Sequence, residues 1–279
     1  MKHLVIGYLG SVGERHYRLL QKAGEEVIGI DKPSVNPETM YIPSYNDFDM
    51  VWVCTPEEFK KGYVEGALAQ GKKVFVEKPY GIQHEGQIWV ACNYRFHPAV
   101  KVLKDNLDRV GKILYSRMHF SHYLPYQREN WQEYMKDTNI IMDAGWHFVD
   151  LALWLFGKGY EYNNRICHIK ELNIKDICRI NLWHEIDCET FIDLDYLRRD
   201  KSWGIEVVGT EGTLYLLSQY KIRPIITVDF IKDREDATYT LYMATDKPDE
   251  MYRNQLNYLL KEDWKSNIAE ALEVMKICG

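Results

Sequence analysis

The stretch Val74-Phe75-Val76-Glu77-Lys78-Pro79, VFVEKP, decides how this chain is read. Three apolar residues suit a buried strand, and Pro79 has no N–H to give a sheet, so the strand stops there. A lysine is thereby delivered at a strand end. In an open parallel sheet the carboxyl ends of the strands are where ligands dock, so Lys78 either meets a substrate or, beside Glu77, simply solvates a surface. Six residues leave these readings evenly matched, and the flanking chain separates them.

Upstream, residues 3–7 form a short apolar strand. Residues 14–22 carry Tyr17, Leu19 and Leu20 at helical spacing, and residues 26–30 form a second strand ending at Asp31. Gly7, Gly10 and Gly13 lie in the first connection, and Asp31 follows eighteen residues after Gly13. That is the layout of a dinucleotide-binding turn. Glycines let the backbone approach a pyrophosphate, the helix N-terminus supplies N–H donors, and the acid accepts from ribose hydroxyls. The spacing is GxxGxxG, one residue longer than the usual GxGxxG. Asp31 favours NAD over NADP, a preference that Lys32 beside it softens.

Residues 33–49 hold three prolines and no helical period, which predicts a loop. Residues 50–54 (MVWVC) are the next buried strand, Thr55-Pro56 ends it, and residues 57–70 return as a helix before Gly71. Only the eight residues 80–87 separate VFVEKP from the strand at 88–92, too few for a full helix. Repeated strand and helix alternation predicts a parallel α/β sheet with right-handed crossovers.

His97-Pro98 opens a helix with Val100, Leu103, Leu107 and Val110 on one face. Beyond it, strand-like runs at 113–123, 165–175, 178–184, 190–197, 203–209, 213–217, 225–230 and 238–242 predict a largely antiparallel sheet. Helices at 250–260 and 267–277 close the chain, able to pack back on the first domain. The expected domains are 1–96, Rossmann-type and dinucleotide-binding, and 97–279, an α+β substrate-binding domain.

Between the early strands of the second domain lies DAGWHFVDLALWLFG, residues 143–157. Asp143, His147 and Asp150 fall at i, i+4 and i+7, on one face of a helix that is otherwise almost wholly apolar. Buried polar groups need partners or a purpose. A lone histidine would be a core residue held by Asp150 or Asp143, whereas a trio on one face suits proton exchange near neutral pH.

A length of 279 residues with 46% hydrophobic content accommodates two cores. A formal charge of −6 without a dense basic run argues against nucleic acid as a partner. The six cysteines form no CxxC and no Cys/His ligand spacing, so neither a metal site nor a disulfide framework is expected. The apolar N-terminus is interrupted at Glu14, Arg15 and His16, and no other run approaches a membrane span; a cytoplasmic location is expected.

Taken in order, the glycine turn, VFVEKP, NYRFHP (residues 93–98), DxGxHxxD, FIDLDYLRR (191–199) and EVVGTEGTL (206–214) resemble the Gfo/Idh/MocA oxidoreductases over nearly the whole chain. The resemblance implies an N-terminal Rossmann-type parallel sheet domain and a C-terminal mainly antiparallel sheet domain flanked by helices. It implies an NAD(P)-dependent dehydrogenase or reductase acting on a sugar or nucleotide sugar. It also implies cofactor contacts from Gly7, Gly10, Ser11, Val12, Gly13, Asp31, Lys32, Thr55, Pro56, Glu77 and Lys78. Lys78 and His147 would handle the proton, Asp143 would line the substrate site as a third catalytic residue, and Arg95 would contact substrate or cofactor. Pairing of copies through the second-domain sheet is likewise implied. This chain departs from the family in its longer glycine turn, its short stretch after Pro79 and the missing histidine after Thr55-Pro56. The shortened nucleotide domain argues for the alternative of a sugar- or partner-binding member without turnover, and retention of Lys78, Asp143 and His147 argues against it. The epimerase-type GxxGxxG enzymes are set aside because no YxxxK occurs among the twenty tyrosines.

Overall fold

The computed structural model describes residues 1–31, 44–127, 129–136, 138–161, 166–219, 223–232, 238–245, 247–261 and 263–279. Most of the expected loop at 33–49 lies outside them; its last residues, 44–49, carry turns and no helix. The chain divides into two compact units, Met1–Asn93 with Tyr252–Lys276, and Tyr94–Met251 with Ile277–Gly279.

In the first unit, among the described residues, β1 (Lys2–Ile6), β2 (Glu26–Ile30), β3 (Met50–Val53), β4 (Lys73–Val76) and β5 (Ile88–Val90) pair in the order β2-β1-β3-β4-β5. Every pairing is parallel. The central strands read as unbroken apolar runs because both faces are covered; Met50 through Val53 are wholly inaccessible. Helix α1 (Ser11–Lys22) follows β1, and α2 (Glu57–Ala69) follows β3. The connection from β4 to β5 contains no helix, as its length requires.

In the second unit, which begins at Tyr94 within a 3₁₀ turn (Asn93–Phe96), the first α-helix is α3 (Pro98–Asp105), whose N-terminus is capped by His97 Nδ1 accepting from Ala99 N–H at 3.2 Å. The helix expected to continue to Val110 instead breaks at Asn106. That side chain donates to the Val102 carbonyl at 2.8 Å, and a separate 3₁₀ turn spans Leu107–Val110. There follow β6 (Ile113–Ser121), the short helices α4 (Leu124–Gln127) and α5 (Trp131–Tyr134), a π-helical turn Ile141–Gly145 and α6 (Trp146–Phe156).

The remaining strands are β7 (Gly159–Glu161), β8 (Ile166–His168), β9 (Ile177–His184), β10 (Cys188–Asp195), β11 (Ser202–Gly209), β12 (Gly212–Gln219), β13 (Arg223–Lys232) and β14 (Thr238–Thr245). With β6 they form, among the described residues, a nine-stranded sheet ordered β14-β13-β12-β11-β6-β10-β9-β7, with β8 also on β9. Among the described residues only the β6–β10 pairing of this sheet is parallel. The strand expected at 165–175 is confined to β8, since Asp176 collects the N–H groups of Lys170, Glu171 and Leu172 at 2.9 Å each and folds that segment into a loop.

The chain ends with α7 (Pro248–Leu259) and α8 (Ile268–Cys278). Residues 252–276 return to the first unit, where Asn267 acts as a substitute strand on the edge of β5. Its Oδ1 accepts from Val90 N–H at 2.7 Å and its Nδ2 donates to the Val90 carbonyl at 2.9 Å. Among the described residues no helix is long and apolar enough to cross a membrane.

Candidate active site

Because the first sheet is parallel, the residues following β1, β2, β3 and β4 share one rim. After β1 the chain turns at Gly7, whose φ of +84° and approach to the Cys54 carbonyl exclude any Cβ. The extra residue of the glycine turn is absorbed between Gly7 and Gly10, closed by Gly10 N–H donating to the Gly7 carbonyl at 3.1 Å. Gly13 lets α1 press onto that turn; a Cβ there would lie 2.0 Å from Gly7 O. Leu9, Gly10 and Ser11 are exposed, and α1 starts without a side-chain cap. The N–H groups of Ser11, Val12 and Gly13 therefore offer the donors and the positive helix end that a phosphate takes.

Asp31, directly after β2, accepts from Leu9 N–H at 2.9 Å and so stands beside the turn. Thr55, after β3, has a buried hydroxyl without a hydrogen-bond partner among the described residues, and Pro56 precedes α2. These features fit a dinucleotide: a cradle only glycine permits, an acid at the ribose position and an orphaned hydroxyl on the same rim. Lys32 lies outside the described residues.

After β4, Glu77 and Lys78 are half-buried. Glu77 Oε1 is bonded to His16 Nε2 at 2.8 Å. Burial pushes the Glu77 carboxyl upward, but the His16 bond and the charges of Lys60 and Lys78 outweigh it and hold the group below its ordinary value. The Lys78-Pro79 bond is cis.

In the second unit the π-helical turn carries Asp143 into α6, which carries His147 and Asp150. Each member of the trio has a partner outside it. Asp150, 4% exposed, takes a bidentate grip from Arg95, with Nε to Oδ2 at 2.8 Å and Nη2 to Oδ1 at 2.5 Å. Arg95, expected at substrate or cofactor, forms a buried ion pair here that ties the turn after Cys92 to α6. Asp143 accepts from the Tyr196 hydroxyl at 2.7 Å. The ring of His147 lies against Tyr94, centroids 4.8 Å apart, and Tyr94 meets Trp203 edge-on at 5.3 Å. Asp143 and His147 are half-buried, while Asp150 is sealed.

Residues 1–88 match the family described as the oxidoreductase family with an NAD-binding Rossmann fold, and residues 103–215 match the GFO/IDH/MocA C-terminal domain. The chain belongs to the Gfo/Idh/MocA oxidoreductase family. Among its relatives, an inositol 2-dehydrogenase of Pseudomonas savastanoi pv. phaseolicola is 24% identical, covering 84% of this chain and 82% of that protein. A D-apiose dehydrogenase of Paraburkholderia graminis is 24% identical over 72% of this chain and 59% of its own length.

The fold of this Gfo/Idh/MocA member recurs in an oxidoreductase from Agrobacterium radiobacter solved with NAD+, L-tartaric acid and magnesium. The TM-score is 0.82 at 17% identity, over 100% of this chain and 94% of that one. It recurs also in a UDP-N-acetylglucosamine 3-dehydrogenase from Acidithiobacillus ferrooxidans, with TM-score 0.75 at 15% identity, over 100% of this chain and 95% of that one. NAD is the cofactor of the family's first domain, and the rim described above fits it.

Sequence reasoning missed His16, Lys60, Tyr94 and Tyr196. Lys60 alone had a local signal: its place in the apolar stripe of α2 with Tyr63, Val64 and Ala67.

Proposed function

We propose that this family member moves a hydride between NAD and a hydroxyl or keto carbon of a sugar, polyol or nucleotide sugar. The observation that carries the reading is the shared rim of the parallel sheet, where the glycine turn, Asp31, Thr55 and Lys78 follow consecutive strands in space. The backbone of residues 7–13 binds the pyrophosphate, and Asp31 takes the ribose hydroxyls and disfavours a 2′-phosphate, so NAD is preferred over NADP. When bound, NAD supplies the hydride acceptor. The protein orients the reacting carbon and manages one proton. Lys78 supplies an ammonium at a strand end, His147 exchanges the proton, and Asp143 accepts a hydrogen bond from a substrate hydroxyl. Two relatives bearing the names inositol 2-dehydrogenase and D-apiose dehydrogenase support a polyhydroxylated substrate.

Homodimerisation through the outer face of the nine-stranded sheet belongs to the same reading, supported by Tyr215, Leu217, Ile231 and Met243 exposed on it. Light scattering coupled to size exclusion reads it directly.

The test is a fluorescence titration with NADH and with NADPH, wild type beside Asp31→Ala, followed by a panel of polyols, aldoses and nucleotide sugars. NADH binding weakened by Asp31→Ala, with turnover abolished in Lys78→Ala and in His147→Ala, is the expected result. Absence of nucleotide binding at high micromolar concentration sinks the oxidoreductase reading and leaves the sugar-binding one.

A further inference from the structure

The buried face of α2 is formed by Lys60, Tyr63, Val64 and Ala67, so a lysine occupies a position whose i, i+3, i+4, i+7 pattern calls for an apolar residue. Lys60 is 3% exposed. Its Nζ donates to the carbonyl oxygens of Lys78 and of Pro79, each at 3.0 Å, using two of its three N–H groups on the residues either side of one peptide bond. A charge so enclosed is unfavourable without compensation. Burial lowers the Lys60 ammonium to about 8, with Glu77 acting upward and the neighbouring Lys78 charge downward.

An apolar side chain would fill this place in the core without the desolvation cost and without a second cation next to Lys78. What the lysine provides and an apolar residue cannot is a pair of donors aimed at the two carbonyls where β4 ends. We propose that Lys60 is a positioning residue: its ammonium pins the backbone at Lys78 and Pro79 and thereby aims the Lys78 side chain. The inference deepens the proposed function and rests on the role given there to Lys78. Catalytic geometry is intolerant of displacement; about 1 Å of misplacement costs on the order of a hundredfold in rate. A clamp on the backbone of a working lysine therefore shows in turnover rather than in cofactor affinity.

The experiment compares wild type with Lys60→Met, unbranched, one atom shorter and without donors, and Lys60→Gln, whose amide retains two N–H groups. Hydrogen exchange read by mass spectrometry across residues 77–81 needs no substrate. It is expected to speed up about tenfold or more in Lys60→Met and to return most of the way in Lys60→Gln. With the best substrate of the panel, kcat is expected to fall about tenfold or more in Lys60→Met and less in Lys60→Gln, while the NADH dissociation constant stays within about twofold. Unchanged exchange at 77–81 in folded Lys60→Met overturns the clamp, as does kcat falling only in step with lost NADH binding. Should Lys60→Met fail to fold, Lys60→Leu, which also lacks donors, takes its place in the same exchange and kcat measurements. A wild-type protein that binds no nucleotide overturns the oxidoreductase reading instead, and the exchange measurement still decides the clamp.

Discussion

Tyr196, fully buried and directly following β10, donates its hydroxyl to Asp143 Oδ2 at 2.7 Å. The bond joins residues 53 apart in sequence and ties the π-helical turn that carries Asp143 to the strand beneath it. Its ring is backed by His122, stacked at 5.0 Å. A phenol in this place fixes which way the carboxylate faces.

Tyr196→Phe keeps the packing and removes the donor. Stability is expected to fall by ~1 kcal/mol, the usual net worth of such a bond. If Asp143 orients substrate, kcat/KM falls about tenfold at the same time with NADH affinity unchanged. Steady-state kinetics beside urea unfolding separates the two effects. Equal kcat/KM in both proteins would remove Asp143 from the site.

Gly13 and Gly10 differ sharply in what they tolerate. A Cβ on Gly13 meets Gly7 O at 2.0 Å and Gly7 C at 2.8 Å, which are backbone atoms that cannot step aside, whereas one on Gly10 meets Gly7 O at 3.3 Å. Gly10 also has an ordinary φ of −72°. Gly13→Ala is therefore expected to destabilise the protein by about 3 kcal/mol and to abolish NADH binding. Gly10→Ala loses under about 1 kcal/mol. Thermal unfolding of the two variants checks the order, and a reversed order would mean that α1 does not sit on the turn as described.

Asp150 and Arg95 share a sealed ion pair, with side chains 5% and 7% exposed. Removing one partner strands the other charge, so Asp150→Ala is expected to cost about 3–5 kcal/mol. The double variant Arg95→Met with Asp150→Leu is expected to recover most of that, because well-packed apolar residues are often as good as a buried pair. A complete double-mutant cycle by urea denaturation measures the coupling, and additive costs would show that the pair is not formed.

The strands, the glycine turn and the VFVEKP rim were legible because each is written locally: a continuous apolar run between turn residues, three glycines at fixed spacing, a proline that ends a strand. The pairs that organise the second unit were not, because Arg95 with Asp150 and Tyr196 with Asp143 lie 55 and 53 residues apart. The false strand after His168 has another cause. Ile169, Leu172 and Ile174 give a plausible apolar pattern, but the carboxylate of Asp176 binds three backbone N–H groups and offers the chain a loop instead. Lys60 was hidden by its type, since a lysine in a helix is ordinarily counted as surface.

Lys60 also sets a pH dependence. Its folded value of about 8 lies below its ordinary 10.5, so between those limits the folded protein releases a proton that the unfolded chain keeps. Stability attributable to this residue therefore rises with pH from about 8 to about 10.5, by up to ~3 kcal/mol, and is flat below. Urea midpoints for wild type and Lys60→Met, compared at about pH 7.5 and about pH 9.5, give the difference. Parallel changes in both proteins would mean that the rise comes from other groups.

Cys167 and Cys178 stand directly opposite each other where β8 pairs with β9, with Sγ atoms 2.9 Å apart, and both are reduced thiols. Cys167 is half-buried and Cys178 fully buried, so an oxidant reaches Cys167 first. Oxidised glutathione would form a mixed disulfide on Cys167 and release one glutathione thiol. Attack by Cys178 would then release the second and leave a cross-strand disulfide. Thiol titration of the denatured protein is expected to fall from six to four of the cysteines, with Cys178→Ser showing no intramolecular crosslink. Closing so short a loop adds about 2–3 kcal/mol at most. The bond staples β8 to the sheet, so exchange at the amides of residues 166–168 slows in the oxidised protein. Retention of all six thiols under conditions that oxidise a control dithiol would show that the two strands do not hold this register in solution.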